Sequence, residues 1–371
     1  MKKIAWMTPS AFVDVDLPII AVLRKTCIIY WQVMISASMN ELKEYINSQL
    51  SEGANIRVDY VINDYKLYDP RSWHIINNIL SRAKSFKPDL FYTSIAASPF
   101  TSLLYKSRLP LCKTIAACHN VHTPKGAAHE RYNRIATEIH LRTFQNIQVF
   151  SDSQREVLLG KYPQKNVLLA PLAIKDYGEP TLPPKKYNGN EVVFLFFGII
   201  SPYKRLDLLI EAAQSIYEQG YKNFKVKIAG KCKAWPEYAS LIKYQNLFDN
   251  RIEFIPNSDV ANIFAECNYF VMPYQDIAQS GAITVAYRYN LPIILSDLPQ
   301  FRPFGVDGVT GFFFESGNAQ DLGRKMIEVI NGGAQMHDRL KNGLSTFVKE
   351  RYSTPAIANK YLAYFEELLN K

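Results

Sequence analysis

The sequence predicts an α/β protein built from two doubly wound domains in succession. Three observations carry that expectation. Short runs that are apolar throughout recur along the chain between stretches of helical periodicity, the pattern of parallel strands covered on both faces. A stretch rich in Pro, Gly and charge, "KDYGEPTLPPKKYNGNE" (Lys175 to Glu191), interrupts the series near its middle and reads as a linker. At 371 residues the chain exceeds one ordinary core and suits two.

In the first half the strand-like runs are "KKIAWMT", "CIIYWQVMI", "NIRVDYVI", "DLFYTSI", "KTIAAC", "NIQVFS" and "NVLLAP". In the second half they are "VVFLFFG", "FKVKIAG", "IEFIP", "YFVMPY", "PIILSD" and "GFFFES". Among the helical stretches, "DLLIEAAQSIYEQG" puts Leu208, Leu209, Ala212, Ala213 and Ile216 on one stripe and ends at Gly220, a C-cap residue. "NAQDLGRKMIEVINGG" repeats the pattern and also stops at glycine. The closing "STPAIANKYLAYFEELL" is a capped helix with Ile357, Tyr361, Leu362, Phe365 and Leu368 on its apolar face. The expected division is 1–176, a linker over 177–190, 191–350, and a closing helix over 351–371.

A composition of 48% hydrophobic and 21% charged residues is that of a soluble globular protein. Lys and Arg number 43 against 34 Asp and Glu, and the excess is uneven: up to residue 180 there are 22 basic and 15 acidic residues. A basic first half fits an anionic partner, or only solubility. Nucleic acid fits poorly, because the cations are dispersed and no recognised module appears. The five cysteines include no C-x-x-C and no histidine at ligand spacing, which points away from zinc and disulfides and towards a cytoplasmic chain. The apolar part of "MKKIAWMTPSAFVDVD" is too short for a signal peptide and is broken by Asp14 and Asp16. No run approaches the ~20 apolar residues of a membrane span.

"FFGIISPYKRLDLLIEAAQ" (Phe196 to Gln214) reads as strand, turn and helix, with Lys204 and Arg205 at the turn. Gly198 lets an anion approach the backbone, the helix start supplies free N–H groups, and Lys204 adds an ammonium. The same pair also reads as the solvated start of a surface helix. "VMPYQDIAQSGAITVAYRYNLPIILSD" offers a second strand followed by a helix start, at Ser280 and Gly281. Two helix starts after parallel strands of one domain suit the two sides of a diphosphate. Neither a G-x-G-x-x-G nor a P-loop is present.

These two stretches, with "DGVTGFFFESGNAQDLGRKM", "CHNVHTPKG" and the closing helix, resemble the retaining glycosyltransferases of the group 1 (family 4) class. The resemblance implies a GT-B fold, two Rossmann-like domains facing an interdomain cleft, with the last helix crossing back to the first domain. It implies that a nucleoside-diphosphate sugar, UDP- or GDP-linked, binds the second domain and the acceptor binds the first. By position, Lys204 resembles the lysine that holds the donor diphosphate, and Ser280 and Gly281 the backbone donors opposite. Gly198, Ser201 and Arg205 fall in the same donor loop. Gly230 resembles the glycine ending the next strand, and Ile255 lies along the base. His119 resembles the histidine that faces the donor sugar. Where the family often has arginine and glycine, this chain has Ser201 and Arg205, so Arg205 is a candidate relocated phosphate ligand. The family's paired glutamates fall on Ile277 and Val285, leaving Gln279 or Asp276 to compensate. The expected glycine-rich acceptor loop is replaced by "PSAFVDVDLP", where Asp14 and Asp16 read as hydroxyl ligands or as a solvated loop. Asn120, His122 and Glu130 complete the acceptor candidates.

Sugar transfer from a diphosphate needs charge control more than a strong base, and no His/carboxylate cluster suggests a metal. The expected protein is therefore a metal-independent transferase without cofactor, acting in the cytoplasm or at the inner membrane face on a saccharide or lipid-linked acceptor. That role belongs to cell-surface polysaccharide or glycolipid synthesis, with peripheral contact to an anionic membrane. A GT-B nucleotide-sugar epimerase and a non-catalytic nucleotide-sugar-binding protein are the alternatives.

Overall fold

A computed structural model describes the whole chain except residues 51–54, 67–68, 97, 99, 122–129, 182–186, 278–280 and 371. Contacts divide it into two compact units. The first holds the described residues up to Ala173 and the stretch from Tyr352; the second holds Ile174–Arg351.

The first unit is a seven-stranded sheet of β1 (Lys2–Pro9), β2 (Cys27–Ile35), β3 (Ile56–Ile62), β4 (Leu90–Thr93), β5 (Thr114–Ala117), β6 (Asn146–Val149) and β7 (Asn166–Leu169). All pairings are parallel, in the order β3-β2-β1-β4-β5-β6-β7. Each predicted run supplies one strand. Burial explains why: the described residues of β4, β5 and β6 are all buried, so both faces must be apolar or internally bonded. Helices α1 (Val13–Leu23), α2 (Asn40–Gln49), α3 (Pro70–Ser85), α4 (Thr101–Arg108), α5 (Glu130–Thr143) and α6 (Asp152–Lys161) connect the strands. One core cluster joins α1 to the closing helix; the opposite one takes Ile76 and Ile79 of α3, Tyr105 of α4, Leu141 of α5 and Leu158 of α6.

The second unit is a six-stranded parallel sheet in the order β10-β9-β8-β11-β12-β13, made of β8 (Val192–Phe197), β9 (Phe224–Ala229), β10 (Phe248–Arg251), β11 (Tyr269–Met272), β12 (Ile293–Ser296) and β13 (Gly311–Phe314). Its helices are α7 (Leu206–Glu218), α8 (Trp235–Ala239), α9 (Asn257–Ala265), α10 (Gly281–Arg288) and α11 (Ala319–Arg351). Gly220 ends α7 at φ 104°, and the amides of Gly220 and Tyr221 donate to Tyr217 and Ile216. α11 is two helices run together across Gly333, whose φ of 56° breaks the helix where the glycine stop was expected.

Two expectations are corrected. "IEFIP" is not a strand; the strand is the preceding "FDNR", at the sheet edge, where Asp249 and Asn250 stay exposed. Asp14 and Asp16 lie in the first turn of α1 rather than in a loop. The linker is partly docked on the second unit, where Arg288 pairs with Asp176 at 2.8 Å and Glu179 at 2.6 Å. The closing helix, α12 (Thr354–Leu369), packs into the first unit with Ile357, Ala358, Tyr361 and Phe365 buried, and Gln148 Nε2 donates to Tyr361 Oη at 2.6 Å.

Candidate functional site

In the second unit the chain leaves β8 at Gly198, whose φ is 102°. A side chain there would meet the ammonium of Lys204, which stands 3.4 Å from the position a Cβ would take. Gly230, leaving β9 at φ 148°, lies so close that a Cβ would fall 2.1 Å from the Gly198 carbonyl oxygen. Only glycine fits either place. Backbone bonds fix the pair: Gly198 donates to Ala229 at 2.9 Å, Gly230 to Arg251 at 3.0 Å, and Ile200 to Lys231 at 2.9 Å.

Lys204 ends a tight turn, Pro202–Lys204, whose start at Ser201 accepts the Lys204 amide at 2.9 Å. Only 9% of Lys204 is exposed. Its ammonium lies 5.4 Å from the centroid of the Tyr274 ring, and burial pushes its pKa down to about 8. Tyr203 holds the turn against the segment after β11, its carbonyl accepting from Gln275 at 2.9 Å and its ring meeting Tyr274 edge-on. No ion pair to Lys204 occurs among the described residues; burial alone moves its titration. A buried ammonium that has no ion pair among the described residues is expensive until an anion reaches it.

Arg205 does not leave its fork open for phosphate. It has left-handed backbone angles, φ 51° and ψ 48°, and its guanidinium closes on Asp207 with bonds of 3.0 Å from Nε and 2.9 Å from Nη2. A weaker bond runs to Gln275 Oε1 at 3.4 Å. The backbone conformation is the one glycine would take without strain, which explains why glycine is common there in the family the sequence resembles.

Gly281 opens α10, and a Cβ on it would stand 3.0 Å from Cε and 3.3 Å from Nζ of Lys175. Lys175 therefore lies across that helix start, its amide directed to Thr284 Oγ1 at 3.4 Å. Sequence reasoning placed Lys175 in the linker; no local pattern marks a contact made so far along the chain. Ile255 is buried, leaving its backbone as what it can offer. Ile277 and Val285 are both 2% exposed, so the two positions are core rather than ligand positions. Gln279 and Ser280 lie outside the described residues.

In the first unit His119 follows β5 with its ring sandwiched between Phe12 (centroids 3.6 Å apart, planes at 4°) and Phe150 (4.6 Å, 23°). Gln154 of α6 pins the loop, its Oε1 accepting from Val121 at 3.1 Å and its Nε2 donating to the His119 carbonyl at 3.4 Å. Phe12, which sequence reasoning did not single out, comes from the stretch after β1. Asn120 is exposed, and Glu130 is half-buried at the start of α5. His122 lies outside the described residues. Asp16 is corrected as an acceptor ligand: it is 1% exposed, and its Oδ2 accepts from Thr8 at 2.7 Å and Ser94 at 2.8 Å. Burial, partly offset by those bonds, raises its pKa to about 6. Asp14 is half-buried in the same turn.

Among the described residues no helix is long and apolar enough to cross a membrane, and no cluster of three His, Cys, Asp or Glu is arranged to hold a metal.

Residues 181–345 match the family model of Glycosyl transferases group 1. An uncharacterized glycosyltransferase of Methanocaldococcus jannaschii is 26% identical over 149 residues, 39% of this chain and 40% of the relative's length. A glycosyltransferase from Rickettsia africae superposes with a TM-score of 0.71 at 16% identity, covering 100% of this chain and 99% of that one. HepE of Anabaena, solved in complex with UDP and glucose, superposes at 0.70 with 13% identity, covering 99% and 100%. The chain thus has the two-unit α/β fold of the GT-B glycosyltransferases, and its residues 181–345 are similar to the Glycosyl transferases group 1 family.

Proposed function

We propose that the protein is a glycosyltransferase that moves a sugar, with retention, from a UDP- or GDP-sugar to a saccharide or lipid-linked acceptor. Such a reaction serves the synthesis of cell-surface polysaccharide or glycolipid at the inner membrane face. The observation that carries this reading is Lys204: a cation buried against the glycine turns at the ends of β8 and β9, inside the stretch matching the family. As the bond between sugar and diphosphate breaks, negative charge collects on the leaving diphosphate. Lys204 and free amides at the helix starts balance it; losing one such fixed donor costs ~3–4 kcal/mol in barrier, by analogy with oxyanion holes. The leaving phosphate takes the proton of the acceptor hydroxyl as that oxygen bonds to the sugar carbon, so no protein nucleophile is required. In this reading His119, held flat by Phe12 and Phe150, serves the sugar, and the leaving charge is met without a metal or cofactor.

The test is a thermal-shift and nucleotide-release panel with UDP, GDP and their sugars, run on wild type and Lys204→Ala. Stabilisation by one nucleoside diphosphate in wild type, lost in Lys204→Ala, supports the donor site. No stabilisation by any of them removes it. Binding without release of nucleotide to any acceptor favours the non-catalytic alternative, which the buried Ile277 and Val285 make specific.

A further inference from the structure

The two sheets end in four edge strands, and one of them differs from the rest. β7, β10 and β13 are each four residues long, the short edges that discourage pairing with another chain. β3, the other edge of the first unit's sheet, runs for seven residues, Ile56–Ile62, without proline or glycine. It pairs with β2, Tyr30 beside Arg57 and Trp31 beside Val58. At the two ends of that ladder Ile29 donates to Asn55 and Asn63 donates to Ile35, both at 2.8 Å. The odd-numbered residues of β3 therefore turn their amides and carbonyls inward. Those of Ile56, Val58 and Tyr60 point out from the sheet, and none is bonded among the described residues. Side chains alternate across the strand. Ile56, Val58 and Tyr60 pack towards the core shared with α1 and α12, and Arg57 and Asp59 lie on the other face. Asp59 accepts from Tyr30 Oη at 2.6 Å and pairs with Arg82 of α3 at 3.1 Å. Arg57 is exposed, lies 5.3 Å from the centroid of the Tyr30 ring, and has no carboxylate partner among the described residues.

We propose that β3 is the interface of a homodimer, in which a second copy adds its own β3 antiparallel across a two-fold axis at Val58. "IRVDY" is complementary to its own reverse: with the axis at Val58, Ile56 lies opposite Tyr60 of the second copy, and Arg57 opposite its Asp59. Val58 exchanges both main-chain bonds with its counterpart, and Ile56 and Tyr60 exchange theirs on either side, which satisfies the outward groups. Arg57 and Asp59 fall at the intervening non-bonded positions, where opposite side chains come closest, with Cβ atoms ~4.5–5.5 Å apart. The exposed cation thus meets a carboxylate that Tyr30 and Arg82 already hold in place. Moving the axis to Tyr60 would set Asp59 against Val61 and Arg57 against Asn63, leaving both charges without a complement. An unrelated extended segment could use the same main-chain groups; the strand's own reverse supplies both charges in register, twice by symmetry. A single strand pair buries less than an obligate interface, so the dimer is reversible. The inference lies within the first unit and is independent of the proposed reaction.

The test is sedimentation velocity of the full chain over a concentration series reaching about 100 μM, with a melting curve on every sample. Wild type is expected to pass from monomer to dimer, and to shift back towards monomer at high salt. Arg57→Asp sets acid against acid at both symmetry-related pairs and should weaken the dimer roughly tenfold or more. Asp59→Arg sets cation against cation, with the same result. Mixed in equal amounts, these two variants should form a heterodimer within about tenfold of the wild-type affinity, since each facing pair is again opposite in sign. Val58→Pro removes the outward amide and leaves the ladder to β2 intact, so it should fold and stay monomeric. Arg57→Lys should dimerise. If Asp59→Arg or Val58→Pro fails to fold, the contrast of Arg57→Asp with Arg57→Lys decides alone. Three results would overturn the proposal: a wild type that stays monomeric throughout, a dimer unaffected by Arg57→Asp or by a folded Val58→Pro, or folded charge variants that fail to associate on mixing.

Discussion

Replacing Arg205 by glycine and, separately, by alanine distinguishes what that residue does. Its backbone sits at φ 51°, ψ 48°, a region that costs a residue with a Cβ roughly 1–2 kcal/mol. Its side chain pairs with Asp207 at a partly exposed place, a contact worth about 0.2–1 kcal/mol. Alanine loses the pair and keeps the strain, so it should destabilise by about 0.5–1 kcal/mol. Glycine loses the pair and relieves the strain, at about 0.4–1 kcal/mol of extra freedom in the unfolded chain. The glycine variant should therefore match wild type and exceed the alanine variant by about 1 kcal/mol. Urea unfolding followed by circular dichroism reads that gap as a shift of midpoint at constant slope. Both variants should keep their thermal response to nucleoside diphosphate within about twofold in affinity, because the fork they lose was already closed on Asp207. Equal stability of the two variants would refute the backbone argument. Loss of nucleotide response in both would refute the side-chain argument and make Arg205 a phosphate ligand.

Three further outcomes follow from burial. Lys204 titrates near 8 when folded and at 10.5 when exposed, so its burial costs about 3 kcal/mol below pH 8, and that cost fades as pH rises from 8 towards 10.5. Lys204→Met should thus raise the melting temperature of the ligand-free protein at pH 7, with a smaller gain near pH 10, while the nucleotide response disappears. Asp16 runs the other way. Its folded pKa of about 6 lies above the 3.8 of the exposed acid, so its contribution is whole below pH 3.8 and is lost, by about 3 kcal/mol, as pH rises to 6. Asp16→Asn, which keeps one oxygen for both Thr8 and Ser94, should flatten that part of the stability–pH curve measured by urea unfolding. Gly230→Ala should destabilise by at least about 2 kcal/mol in the same assay, since its methyl would fall 2.1 Å from the Gly198 oxygen; a wild-type midpoint would show that the two turns are not in contact.

Much of the fold was legible because a buried parallel strand has no polar side to disguise it. "CIIYWQVMI" is β2 residue for residue. β10 escaped because it is an edge, where "DN" faces water and pairing alone makes the strand, while the apolar "IEFIP" buries little but Ile255 and leaves Phe254 75% exposed. Asp16 escaped for a related reason. Two acids in "VDVD" look solvated until the hydroxyls of Thr8 and Ser94 arrive from neighbouring strand ends.

The donor-site candidates divide along the same line. Glycine after a strand and lysine in the following turn are local features, and the sequence shows them. Whether that lysine is buried depends on Tyr274, brought in by β11 from the other side of β8, and no window around "YKR" contains it. The lost glutamates show the converse. Their absence was plain in the sequence, but only the structure shows Ile277 and Val285 turned into the core. A carboxylate restored at either position would be buried without a partner, a cost of several kcal/mol. Lys175, laid across the start of α10 by the docked linker, occupies a position that is a product of folding and that no motif records.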